Sequence, residues 1–173
     1  MKNITLALLI VLCALAAPRA QAPPPQSRVT GTIALALDAR ETPRRLLHAR
    51  ETLNVTAGPL TLVYPKWLPG EHSPDGPIDD LVALSFTAAG RSLPWHRDGV
   101  DLFAFHVDIP QSANRLDVSF DFLSAIGQGG FSSASSDTAH LGIYSWNQVL
   151  LYPRGARTDD VMFRASMVIR RPT

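Results

Sequence analysis

The stretch "RLDVSFDFLS", Arg115 to Ser124, alternates residue by residue: Leu116, Val118, Phe120 and Phe122 fall on one side, Asp117, Ser119 and Asp121 on the other. A period of two is the geometry of a β-strand with one face buried. The same pattern recurs along the chain. "VTGTIALAL" collects Val29, Ile33, Leu35 and Leu37, and "LLHARETLNV" collects Leu47, Ala49, Leu53 and Val55. "PLTLVY" carries Leu60, Leu62 and Tyr64, and "LVALSFTA" carries Val82, Leu84 and Phe86, followed by a tight turn at "AGRS". "DLFAFHVDIP" aligns Phe103, Phe105, Val107 and Ile109, and "VMFRASMVI" aligns Val161, Phe163, Ala165, Met167 and Ile169. No run shows a period of about 3.6, and proline stands in nearly every connection, which works against helices. The expectation is an all-β domain, an antiparallel β-sandwich of about seven or eight strands.

The N-terminus follows a different rule. Lys2 precedes the apolar run Ile4–Ala17, and "AQA" at Ala20–Ala22 offers the small residues of a cleavage site. We therefore expect residues 1–22 to be a signal peptide, 23–28 a proline-rich spacer, and 29–173 the β-sandwich, with the mature chain exported to the periplasm or the extracellular space. Removing Lys2 and Arg19 leaves 14 of the 16 basic residues against 15 acidic ones. Such a balance, without a basic run, argues against nucleic acid or an anionic membrane as partner. The single cysteine, Cys13, lies in the expected signal, so no disulfide or thiol chemistry is foreseen for the mature chain. The segment Ser124–His140, rich in glycine and serine, reads as a long mobile loop. The last alternating run reaches Ile169 with only "RRPT" behind it, the layout of a piece of something longer.

Catalytic signatures are sparse. The five histidines, His48, His72, His96, His106 and His140, show no H-E-x-x-H spacing, and His48 and Glu51 point to opposite faces of their strand. His106, out of phase with Phe105 and Val107, reads as a solvent-facing strand residue. No G-x-S-x-G motif or phosphate-cradling glycine loop occurs. No metal site, cofactor or catalytic residue is expected within this chain.

The stretch "YPKWLPGEHSPDGPIDDL", Tyr64 to Leu81, is the exception to the strand pattern. Pro69-Gly70 suits the centre of a type II turn, because proline presets φ and glycine accepts a positive φ. Pro65, Pro74 and Pro77 stiffen the flanks. A stiff loop loses little entropy on binding, which suits Trp67, Glu71 and His72 to recognition. The structural alternative is a rigid crossover between sheets, with Trp67 plugging one end of the core.

Three stretches, "YPKWLPGEHSPDGPIDDLVALSF", "LPWHRDGVDLFAFHVDIP" and "WNQVLLYPRG", in that order, resemble the N-terminal domain of the glycyl aminopeptidase family of zinc metallopeptidases, family sixty-one. The resemblance runs from Val29 to Ile169, and its W-x-P-G signature is Trp67, Pro69 and Gly70. It implies a layout of exported chain, β-rich N-terminal domain, helical H-E-x-x-H catalytic domain and often a PDZ domain. The catalytic and PDZ parts are not in this sequence, so zinc is implied only for the missing catalytic domain, the partner in cis. Peptide cleavage by this chain alone is not expected. The resemblance makes the signature loop a wall of the substrate cleft. Glu71 is the first candidate partner for a substrate α-ammonium, with Asp79 and Asp80 behind it, Trp67 as an apolar wall and His72 of lower weight. The alternative is a standalone secreted module, either binding peptides or structural.

Overall fold

A computed structural model of the chain describes residues 28–70, 72–124, 136–138 and 141–170. The expected signal peptide, Glu71 and most of the expected loop at 124–140 lie outside the described residues. The seven alternating runs all become strands of six residues or more: β1 (Val29–Asp38), β2 (Leu46–Val55), β3 (Gly58–Val63), β4 (Leu81–Ala88), β7 (Ala104–Ile109), β8 (Arg115–Leu123) and β12 (Phe163–Val168). Five strands of two or three residues join them: β5 (Arg91–Ser92), β6 (Trp95–Arg97), β9 (Ser136–Asp137), β10 (Gly142–Ile143) and β11 (Tyr152–Pro153). The strand count is therefore twelve among the described residues, not seven or eight, because strands this short carry no readable period. No α-helix occurs among the described residues, only single turns of 3-10 helix such as Ile78–Asp80 and Trp146–Gln148.

Two main sheets face each other. The wider runs β12-β1-β2-β8-β4-β5 and the narrower runs β11-β3-β7-β6. Pairing is antiparallel throughout except at one edge, where β12 lies parallel to β1. That edge corrects the purely antiparallel expectation. Between the sheets sits one apolar cluster that includes Leu37, Leu47, Leu53, Leu62, Phe86, Phe105, Phe120 and Phe122. Sealing an apolar row from water on both strands of a pair is what fixes this register, since a one-residue slip would turn the whole row outward.

Two rows depart from the sequence pattern. In β4 the pairing with β8 shifts by one residue between Val82 and Ser85, and Ala83 takes φ 54. This bulge breaks the parity of the strand. Leu81, Leu84 and Phe86 reach the core cluster, whereas Val82 pairs with the outward Asp121. In β12 the later part of the row expected to be buried is open: Ala165 is exposed, Met167 is 39% and, just past the strand, Ile169 65% exposed, while Val161 and Phe163 pack against the core. The narrower sheet does not extend over that edge.

Inside the core one polar residue shares the inward row. Glu51 lies in the register Ala165–Leu35–Glu51–Val118–Phe86 across the wide sheet and is 1% exposed. Its Oε1 accepts the Leu151 N–H at 2.6 Å, and Oε2 has no partner among the described residues. Burial pushes its carboxyl up to about 8, against the opposing pull of the Leu151 N–H.

Candidate functional site

The Tyr64–Leu81 loop is the crossover from β3 in the narrow sheet to β4 in the wide one. Its base is closed by Gly76 N–H donating to the Lys66 carbonyl at 2.9 Å. Gly76 is buried, and a Cβ there would collide with the Pro65 carbonyl oxygen, so only glycine lets the two arms approach. Gly70 has φ 90, the conformation a type II turn needs at that position. The base of the loop is thus tied, but Trp67 does not plug the core: it is 63% exposed.

Trp67 and Pro69 instead border an open cleft of about 730 Å³. Its opposite wall comes from Asn147, Leu150, Tyr152 and Arg154, and its end from Val161 and Phe163. Two buried polar groups staple that opposite wall to the core. The Tyr64 hydroxyl donates to the Gln148 carbonyl at 2.8 Å, and the Glu51 carboxyl accepts from the Leu151 N–H. Burial, then the nearby Asp80 charge, holds the Tyr64 phenol well above its usual range, so it stays a donor. Asn147 Oδ1 is shut from solvent with no hydrogen-bond partner among the described residues.

One carboxylate joins the walls. Asp101 Oδ1 lies 2.7 Å from Lys66 Nζ, and Asp101 Oδ2 lies 2.5 Å from Arg154 Nη2. The Lys66 ammonium first, with the Phe103 N–H and Arg154, holds the Asp101 carboxyl below the usual carboxylate range. Asp101 is positioned by its own turn: Asp98 Oδ1 accepts the Val100 and Asp101 N–H groups, each at 2.9 Å, and Asp98 Oδ2 lies 3.0 Å from His106 Nε2. Those contacts hold the Asp98 carboxyl low. His106 Nδ1 also lies 2.9 Å from Thr61 Oγ1, so this half-buried histidine braces the turn from the outer face of the narrow sheet.

The Peptidase M61 N-terminal domain family matches residues 34–168. The chain belongs to that family. One solved structure agrees at the level of fold. This M61 N-terminal domain is similar to an aminopeptidase N family protein from Idiomarina loihiensis, with 16% identity and a TM-score of 0.66, over 80% of this chain and 22% of that one. An M1 zinc metallopeptidase from Deinococcus radiodurans, solved as a mutant bound to a Tyr-Ser-Ala substrate, matches at 12% identity and a TM-score of 0.48, over 83% of this chain and 33% of that one. The chain thus spans only about a fifth to a third of those solved chains. No curated protein matches it.

Within this M61 domain the candidate residues separate. Trp67 and Pro69 line the cleft, and Gly70 shapes the turn beside them. His72 and Asp79 are exposed and do not line it. Asp80 is partly buried near Tyr64; burial, then Asp79, pushes its carboxyl up. Glu71 falls outside the described residues. Sequence reasoning missed Lys66, Asp101 and Arg154, although each lies in a different one of the three family-like stretches. Among the described residues no three His, Cys, Asp or Glu side chains converge as metal ligands. What the cleft residues offer is binding chemistry: two cations, a carboxylate, an amide and an apolar rim.

Proposed function

We propose that this domain is the non-catalytic partner of a metallopeptidase catalytic domain in cis, and that its cleft helps to shape that domain's substrate site. The observation that carries the reading is the open cleft itself, with Trp67 standing 63% exposed at its edge on a loop closed at its base by the Gly76–Lys66 hydrogen bond. An apolar ring held rigidly in water is unfavourable unless a second surface covers it. The bare end of the inner row on β12, with Met167 39% exposed and Ala165 exposed too, supports the same reading. Export of the mature chain through residues 1–22 belongs to this proposal, as does Glu71 as acceptor of a substrate ammonium.

The test is kinetic. In a full-length member of the family, the counterparts of Trp67→Ala and Glu71→Gln should raise KM for unblocked peptides about tenfold with kcat nearly unchanged, the signature of lost ground-state binding. Unchanged KM in both variants would remove the reading.

A further inference from the structure

Among the described residues that line the cleft, charge is not balanced: Lys66 and Arg154 are two cations on one carboxylate, Asp101, beside Trp67, Pro69, Tyr152 and Phe163. Neither cation is sealed. The Lys66 side chain is 40% and the Arg154 side chain 47% exposed, whereas Asp101 between them is only 17% exposed. An ammonium and a guanidinium each carry more N–H donors than the single Asp101 contact uses. Spare donors are therefore open to solvent while the competing acceptor is largely covered.

A further contact fits the same occupant. Lys66 is pre-oriented, with its Nζ 5.3 Å from the centre of the Phe103 ring as well as against Asp101. A ligand offering a carboxylate beside an apolar side chain is a short peptide presenting its C-terminus. A free α-ammonium would instead be repelled where Lys66 and Arg154 stand.

We propose that this cleft binds the α-carboxylate of a short peptide through Lys66 and Arg154, with Trp67 and Pro69 covering its last side chain. The inference rests on the cleft reading above and deepens it, by assigning the end of the peptide that this wall holds. Asp101 is a positioning residue: it sets both cations and limits their pull on the ligand.

Titration of the whole chain with Ala-Ala-Phe as free acid, as N-acetylated free acid and as C-terminal amide, by calorimetry and backbone-amide NMR, tests this directly. The two acids should bind alike, and the amide about tenfold more weakly or worse, the loss of a charge-assisted contact. Lys66→Met and Arg154→Met should each weaken the free acid by a similar factor while leaving the amide unaffected. Asp101→Asn keeps an acceptor for the Phe103 N–H but removes the competing charge, so it should tighten the free acid, an outcome that a merely structural role would not give. Acid and amide binding equally would overturn the carboxylate assignment while leaving the cleft reading in place. No binding of any peptide, or weaker acid binding in a folded Asp101→Asn chain, would overturn it as well. The cleft reading itself falls only on the kinetics of the full-length enzyme.

Discussion

Met167, Leu37, Ala49 and Phe120 form one row across four strands of the wide sheet, all on its inner side. Phe120 is 2% exposed and Met167 39%. The two ends of the row obey the same alternation and the same strand geometry, and differ only in what lies opposite. Phe120 on β8 faces the narrow sheet, whereas Met167 on β12 lies beyond its reach. Alternation thus tells which way a side chain points; whether anything meets it there is a property of the other layer. The closed half of the sandwich is where this domain keeps its stability, and the open half, with the cleft and β12, is where we place its function.

Four substitutions break or sharpen that contrast. The largest effect is expected at the sealed end: Phe120→Ala should cost about 3–5 kcal/mol in urea unfolding, from lost transfer energy and the cavity left behind. Next comes Glu51, a fully buried carboxyl in the inner rows of the wide sheet. Its carboxyl titrates about 8 in the folded chain against an ordinary 4.5. Below the lower value both states are protonated and its contribution is at its most favourable. Stability is then lost as pH rises through the window to about 8, where the slope ends, by on the order of 5 kcal/mol at ~1.4 kcal/mol per unit. Glu51→Gln should flatten this decline; a decline of the same size in the variant would show that Glu51 is not its source. Gly76→Ala should cost about 2 kcal/mol or more, because the Pro65 backbone has to give way. At the open end, Met167→Ala should change stability by about 1 kcal/mol or less. A Met167 loss as large as that of Phe120 would mean that β12 is covered in the isolated domain.

The fold was legible where strands are long enough to show a period. The run in β8 is buried at the four positions its alternation marks, Leu116, Val118, Phe120 and Phe122. Val82 was misplaced because a one-residue bulge at Ala83 leaves no trace in apolar spacing. Glu51 shares the parity of Ala49 and Leu53, so its burial could have been read from the row, had a charged residue not looked out of place there. The loop was legible from Pro69-Gly70, yet the decisive glycine is Gly76, whose role depends on the carbonyl of Pro65 at the far end of the same loop. The cleft's charged cluster was invisible for a similar reason. Asp101 and Arg154 are 53 residues apart and meet only because β11 pairs with β3 and β3 with β7.

Hydrogen exchange of this chain, measured with and without the separately expressed catalytic domain of a full-length family member, tests the division of the molecule most directly. The account predicts added protection at Lys66–Gly70, at residues 147–158 and along β12, with the backbone of β8 unchanged. Equal exchange of all these segments in the two samples would contradict it.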